Sequence, residues 1–479
     1  MTVEPIGIIA LIIGLIGLFR PPTFIVYAFV TSTLLGAAAA FNVTAIGAIS
    51  IPPAHLLFGF LTIRLMSSRE IRQKTAEVLA FGRPGFWLAL TVSLSLLTAY
   101  FMPRLFQGET FVFPVRAEAA GVVPLAPATS NMTQSVYFIA DATCFLVLSG
   151  YAGTRDGIRV LLNVALVAAT VNLIFAALDL ATYFTNTTEL FALIRNANYN
   201  MLVETDVAGF KRIVGSFVEA SSFGGATMGY FAFTSRLWLL GIQPRLTLTL
   251  ALLSLAAVLF ATSTTAYVGL AVFLALTYLD ILIRIASRPS TIQMRLFVVG
   301  GPLLFVAVAL AVAMSDIYSD MVRDLLDTFF FNKMSTASGQ ERSAWNSTAL
   351  QGFFDTMGFG FGNGSGRASS FVIASLASLG LFGSALFAMF FISLFFGGSN
   401  TTLSPLDDAA RQSAKSMCLA WLITGTVSDP LIELGLAFYS FAALAGARGV
   451  QTRPESFKAL QPSPSRLRLH QTGQIPPLS

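Results

Sequence analysis

Charge is what this sequence lacks most. Only 11% of its 479 residues are Asp, Glu, Lys or Arg, while 55% are hydrophobic and the mean hydropathy is +0.74. So much apolar surface with so little charge to cover it is satisfied by a bilayer rather than by water. Cysteine is nearly absent: Cys144 and Cys418 each fall inside an apolar run, which leaves neither a disulfide framework nor a CxxC metal or redox motif. The two histidines, His55 and His470, are far apart and have no ligand-spaced partners. No metal site is legible, and no cofactor is expected. The net charge of +5 does not imply nucleic acid, because in a membrane chain the location of the positive residues matters more than their sum. The first run, MTVEPIGIIALIIGLIGLF, lacks a positive n-region and a small-residue cleavage signature, so it reads as a first span rather than a removed signal.

What is present is a series of apolar runs: 5–19, 23–41, 46–66, 86–102, 134–151, 158–184, 219–239, 246–260, 265–283, 296–314, 370–396, 417–427 and 431–447. They predict an all-α polytopic membrane protein with roughly 12 to 13 transmembrane helices. The transmembrane domain then covers residues 1–447, and a basic, Pro-containing tail, 448–479, is expected to lie disordered against anionic lipid on the cytoplasmic side. Positive residues crowd alternate connections. Arg64, Arg69, Arg72, Lys74 and Arg83 mark one, Arg155 and Arg159 another, and Arg236 with Arg245, then Arg284, Arg288 and Arg295, mark two more. Arg411 and Lys415 precede the next-to-last run. With the N-terminus outside, all of these fall on the cytoplasmic face. Three long connections are then left outside, at 103–132, 185–214 and 315–369. The first is rich in Pro and Ala and reads as a lid or spacer; the second reads as a surface-lying segment; the third is large and is expected to contain short amphipathic helices.

Residues 338–383 hold the most information. Glu341 and Arg342 open a stretch in which Trp345, Ala349, Leu350, Phe353 and Phe354 recur at helical spacing, predicting a short helix with one greasy face. Gly358, Gly360, Gly362, Gly364 and Gly366 then alternate with larger residues, and Arg367 closes the run. Such a run favours a loop able to bring backbone N–H groups to an anion, and a structural loop between two spans is the plain alternative. The spacing does not fit the dinucleotide fingerprint, since Asn363 stands where a third glycine is needed.

Arginines kept on the outer face need a reason. Arg212 and Arg342 each precede an apolar or Gly-rich segment at that boundary, where a planar guanidinium can grip a diphosphate; snorkelling or a salt bridge such as Glu341–Arg342 is the alternative. Glu219, at the mouth of a span seven residues after Arg212, is the candidate base, or else a helix N-terminal carboxylate favoured by the dipole. Asp429 and Glu433 lie at a short outer turn and could line the same cavity, although Asp429 before Pro430 also fits a helix cap. Asp141 and Asp179 lie deep in their spans. His55 follows Pro52 and Pro53, read as a kink with a packing role.

The segment Arg212-Ile213-Val214-Gly215-Ser216-Phe217 resembles the R-x-x-G-x-F element of the O-antigen ligase and Wzy-type polysaccharide polymerase superfamily. Arg342 to Trp345, Gly358-Phe359-Gly360 and Gly380 to Gly383 are similar to that family's R-x-x-W, GxG and G-x-x-G run, and Ala261-Thr262-Ser263-Thr264-Thr265 occupies the place of its T-x-S-R element. The matched order spans 212–383, and two departures stand out. Thr264 replaces an arginine, so a phosphate contact is lost or supplied by Lys211 or Arg367, and Arg367-Ala368-Ser369-Ser370 replaces the His often found in the ligase branch. The resemblance implies a metal-independent enzyme of the bacterial inner membrane that joins oligosaccharide repeats carried on polyprenyl diphosphate, on the outer face. The residues carried over are Arg212, Arg342 and Arg367 at the diphosphate and Glu219 with Arg342 in catalysis. Its partners would be the lipid-linked donor and acceptor, the bilayer and a co-polymerase regulating chain length. The missing histidine favours a polymerase over a ligase; a transporter or flippase, which should show inverted repeats and mid-membrane charges, is the reading from another class.

Overall fold

The computed structural model describes residues 2–43, 49–115, 121–198, 201–203, 206–207, 210–287, 289–315, 320, 323, 336–398 and 403–448. The basic tail and most of the third loop before residue 336 lie outside these residues. The chain is an all-α polytopic membrane protein. Its helices are α1 (Pro5–Phe19), α2 (Pro22–Ser32), α3 (Pro53–Met66), α4 (Arg69–Val78), α5 (Pro84–Leu105), α6 (Thr129–Ala152), α7 (Gly157–Phe184), α8 (Ala220–Leu239) and α9 (Pro244–Phe260). They continue with α10 (Thr264–Ser287), α11 (Ile292–Ala313), α12 (Ala337–Asp355), α13 (Phe371–Phe396), α14 (Pro405–Ser428) and α15 (Gly435–Ala445).

Every apolar run read from the sequence carries one of these helices. Six are long and apolar enough to cross a membrane, namely α5, α6, α7, α10, α11 and α13, and α1, α2, α3, α9 and α15 are shorter apolar helices. The packing is that of a membrane protein, with small residues inside and large ones outside. The buried residues of α1 are Gly7, Ala10, Gly14 and Gly17, while Ile8, Ile12 and Leu15 face outward. Pro52 and Pro53 do not kink α3; they start it, Pro52 as the N-cap and Pro53 in the first turn, where a missing N–H costs nothing. His55 packs edge-on against Tyr137, with ring centroids 5.1 Å apart.

The centre of the molecule is α8, which packs against both α9 and α14. Against α5 packs α13, which is broken at Gly380, whose φ of 68° and ψ of −174° are non-helical. A break inside the bilayer frees backbone groups that hydrocarbon cannot satisfy. The glycine run supplies the partners: Phe361 N–H donates to Ala377 O at 2.8 Å, and Leu381 N–H donates to Gly358 O at 2.9 Å. Gly360, at φ 79°, sits so close that an added Cβ would lie 2.7 Å from both Ala377 O and Gly380 N.

That packing corrects the expectation of an anion-binding glycine loop. Residues 360–366 are buried as a wedge between α5, α6 and α13, with Gly362 against Thr98 O and Gly364 against Ser130 O. The plain structural reading of the run is the one that holds.

Two small hairpins and a three-stranded sheet finish the fold. The pair β4 (Phe111–Val112) and β5 (Val123–Pro124) orders the first long loop, while β6 (Asp206–Val207) pairs with β7 (Phe210–Lys211) in the second. Near the N-terminus β1 (Thr2–Val3), β2 (Phe41–Val43) and β3 (Ile49–Ile51) form a three-stranded sheet. The second loop does not lie on the surface throughout, because Arg195 from it is buried against Asp179 at 2.6 Å. Asp179 also accepts the N–H groups of Val214 and Gly215, so its role is to hold the segment that follows Arg212.

Candidate active site

A cavity of about 790 Å³ opens where α8, α12, the loop at 367–369 and the α14–α15 turn meet. Its charged lining is Glu219, Glu341, Arg342, Arg367 and Asp429, and its walls include two indoles, Trp345 and Trp421. Serine and threonine hydroxyls fill much of the rest. Residues scattered over more than two hundred positions of chain thus share one chamber, and three of the four sequence-predicted residues, Glu219, Arg342 and Arg367, are among them.

Arg342 comes from the first turns of α12, which begins behind Thr336, whose side chain accepts the Gly339 N–H. The helix is longer than the sequence suggested, and its greasy face is only partly covered: Ala349 is buried while Leu350 and Phe354 are exposed. Arg342 forms no ion pair with Glu341 among the described residues; its contact is a long bond to Thr265 Oγ1 at 3.4 Å.

Arg367 lies flat on Trp345, 3.7 Å from the ring centroid, a cation–π contact on the order of 1 kcal/mol. Its Nε is buried and has no partner among the described residues. Burial lowers its affinity for its proton, opposed by Glu341 and reinforced by Arg342. Two guanidinium groups therefore share the chamber with donors unspent.

Arg212 does not line the cavity. It stands behind Glu219, with Nε 3.2 Å from Thr262 Oγ1. Burial lowers its pKa, while the negative charge of Glu219 raises it. The Thr-rich segment that leads into the first turn of α10 is accordingly a shelf for two arginines, Thr262 taking Arg212 and Thr265 taking Arg342. Glu219 is the N-cap residue of α8, and its carboxylate accepts the Ser221 hydroxyl. Lys211 is unsuited to the phosphate role, since its ammonium is buried and donates to Val203 O and Arg212 O.

The loop carrying Arg367 is fixed residue by residue. Arg367 N–H donates to Phe113 O at 3.0 Å, Ala368 N–H to Pro430 O at 3.0 Å, and Ser369 N–H to Asn346 Oδ1 at 2.7 Å. The first long loop, which the sequence offered only as a lid or spacer, thus braces the site through Phe113 and through Thr110 Oγ1, which donates to Asp355 Oδ2 at 2.7 Å.

Asp429 terminates α14, but its side chain caps nothing; it faces the cavity. Burial pushes its carboxyl up to about 6. Glu433 lies deeper, where Asn363 Nδ2 donates to it at 3.3 Å. Gly435 N–H donates to Asp141 at 3.3 Å, so Asp141 and Glu433 together brace the turn from below. Trp345 and Trp421 as cavity walls escaped the sequence reading. The position of Trp345 three residues after Arg342 was the available signal, and for Trp421 there was none.

The fold and this cavity define a class: a polytopic helical membrane protein with a polar, arginine-bearing chamber at one end of the bundle. No known family model matches the chain, and no curated protein matches it.

Proposed function

We propose that the protein is a glycosyltransferase that polymerises polyprenyl-diphosphate-linked oligosaccharide repeats on the outer face of a bacterial inner membrane. The observation that carries this reading is the pairing of Arg342 and Arg367, neither ion-paired among the described residues, in a chamber walled by indoles and hydroxyls. Guanidinium groups fit a diphosphate, and indole faces with hydroxyls fit sugars. The location agrees. α8, α10, α13 and α15 begin at the cavity end and α14 finishes there, so Arg236, Arg284, Arg411 and Arg448 belong to the far end, about 30 Å away for a helix of twenty residues. By the positive-inside rule the chamber then faces outward.

The leaving diphosphate gains negative charge as the glycosidic bond breaks, and preorganised arginines stabilise that state more than the bound substrate. Arg342 and Arg367 hold the diphosphate directly. Arg212 contributes from behind Glu219, and Glu219, the base offered by the sequence, orders the start of α8. Ligation of a finished chain to a final acceptor uses the same chemistry.

The test is the size distribution of lipid-linked and surface polysaccharide in a deletion strain complemented with wild type, Arg342→Ala or Arg212→Ala, with protein levels checked. Single lipid-linked repeats should accumulate and long chains vanish at normal abundance. Long chains that persist on the lipid without reaching an acceptor would make the protein a ligase, and unchanged chains would sink the glycosyltransferase reading.

A further inference from the structure

We infer that Asp429 is the catalytic base of this chamber, the group that takes the proton from the attacking sugar hydroxyl. The inference rests on the glycosyltransferase reading and replaces Glu219 in that one role. Three carboxylates line the cavity. Glu219 is engaged by the Ser221 hydroxyl and lies in the field of Arg212. Glu341 is exposed, adjacent to Arg342 in sequence, and acts on Arg367, so it belongs to the arginine end. Asp429 alone of the three is neither hydrogen-bonded through its side chain among the described residues nor committed to an arginine.

Its placement is fixed by two contacts. Gly425, one turn earlier on α14, leaves the room the carboxyl occupies: a Cβ there would lie 2.4 Å from Asp429 Oδ2. The following residue, Pro430, accepts the Ala368 N–H at 3.0 Å, directly beside Arg367. One hydrogen bond therefore joins the backbone carrying the carboxylate to the backbone carrying a diphosphate-binding arginine, and the distance between base and leaving-group site is set locally. The charged groups facing Asp429 across the chamber are Glu219 from α8, Glu341 and Arg342 from α12 and Arg367 from the loop, with Glu433 behind it in its own turn.

In the step, the acceptor hydroxyl oxygen forms a bond to the anomeric carbon of the donor sugar while its proton passes to Asp429. The bond from that carbon to the diphosphate oxygen breaks, and its electron pair stays on the diphosphate. Asp429 then returns the proton to water. A carboxyl that titrates near the working pH is suited to this exchange.

The experiment uses the full chain in lipid nanodiscs with a polyprenyl-diphosphate-linked repeat as donor and acceptor, and follows release of polyprenyl diphosphate between pH 5 and 8. Asp429→Asn should lower kcat by about 100-fold or more while donor affinity stays within about threefold. The wild-type rate should rise with pH through about 6 and then level, and the Asn variant should lose that limb. Asp429→Glu should recover part of the rate. Gly425→Ala, which displaces the carboxyl without removing it, should lower kcat with the limb retained. Asp429→Asn turning over within threefold of wild type would overturn the inference while leaving the glycosyltransferase reading intact; so would loss of the limb in Glu219→Gln alone. Wild-type protein that releases no polyprenyl diphosphate at all overturns both.

Discussion

At the scale of single residues, the arginines divide by what already holds them. Arg195 is ion-paired internally: it is buried against Asp179, with the aromatic ring of Phe191 beneath it. Asp179→Asn leaves that guanidinium and the Lys211 ammonium buried beside a neutral amide, so it should cost about 3–5 kcal/mol, read as a lower thermal midpoint in detergent. On the proposed glycosyltransferase reading Arg342 and Arg367 keep their donors for the substrate, and a lysine in place of Arg342 should not rescue polymer formation, because an ammonium offers no planar fork to a diphosphate.

At the scale of elements, the glycine wedge and the broken helix behave as one piece. Gly380→Ala puts a Cβ 2.3 Å from Phe359 O at a φ of 68°, so backbone must shift, and the variant should lose several kcal/mol or fail to accumulate in the membrane. Gly300→Ala, on the open side of α11 with nothing within 4 Å, should leave abundance unchanged, and membrane immunoblots of the two compare them directly. This element also marks the limit of sequence reading. Alternating glycines announce left-handed backbone but do not say whether the loop receives an anion or fills a hole in a neighbouring helix. The deciding fact, the break at Gly380, looks in sequence like any glycine of an apolar run.

At the scale of the whole molecule, sidedness is the sharpest expectation. Cys144 and Cys418 are buried, so an engineered surface cysteine reports alone. Ser347→Cys on α12 should react with a membrane-impermeant maleimide in intact spheroplasts, and Gln73→Cys on α4 only after lysis; the reverse pattern would turn the chamber inward. The helices and their order were legible because hydropathy and alternating clusters of positive residues are properties of the chain itself. Arg342 was legible as an exception to that alternation; Arg212, read with it, lies outside the cavity, and Arg367 was legible only as the close of the glycine run and through the resemblance. Trp421 and the bracing carbonyl of Phe113 were not, since their roles come from neighbours hundreds of positions away. The union of Ala368 with Pro430 has a bearing on biogenesis. The segment holding Arg367 is braced by a turn that exists only once α14 and α15 have been threaded into the bilayer. A chain emerging from its N-terminus carries every arginine of the site long before it carries the wall they face. The chamber is therefore closed on this side only when the last helical pair is seated, at the end of insertion.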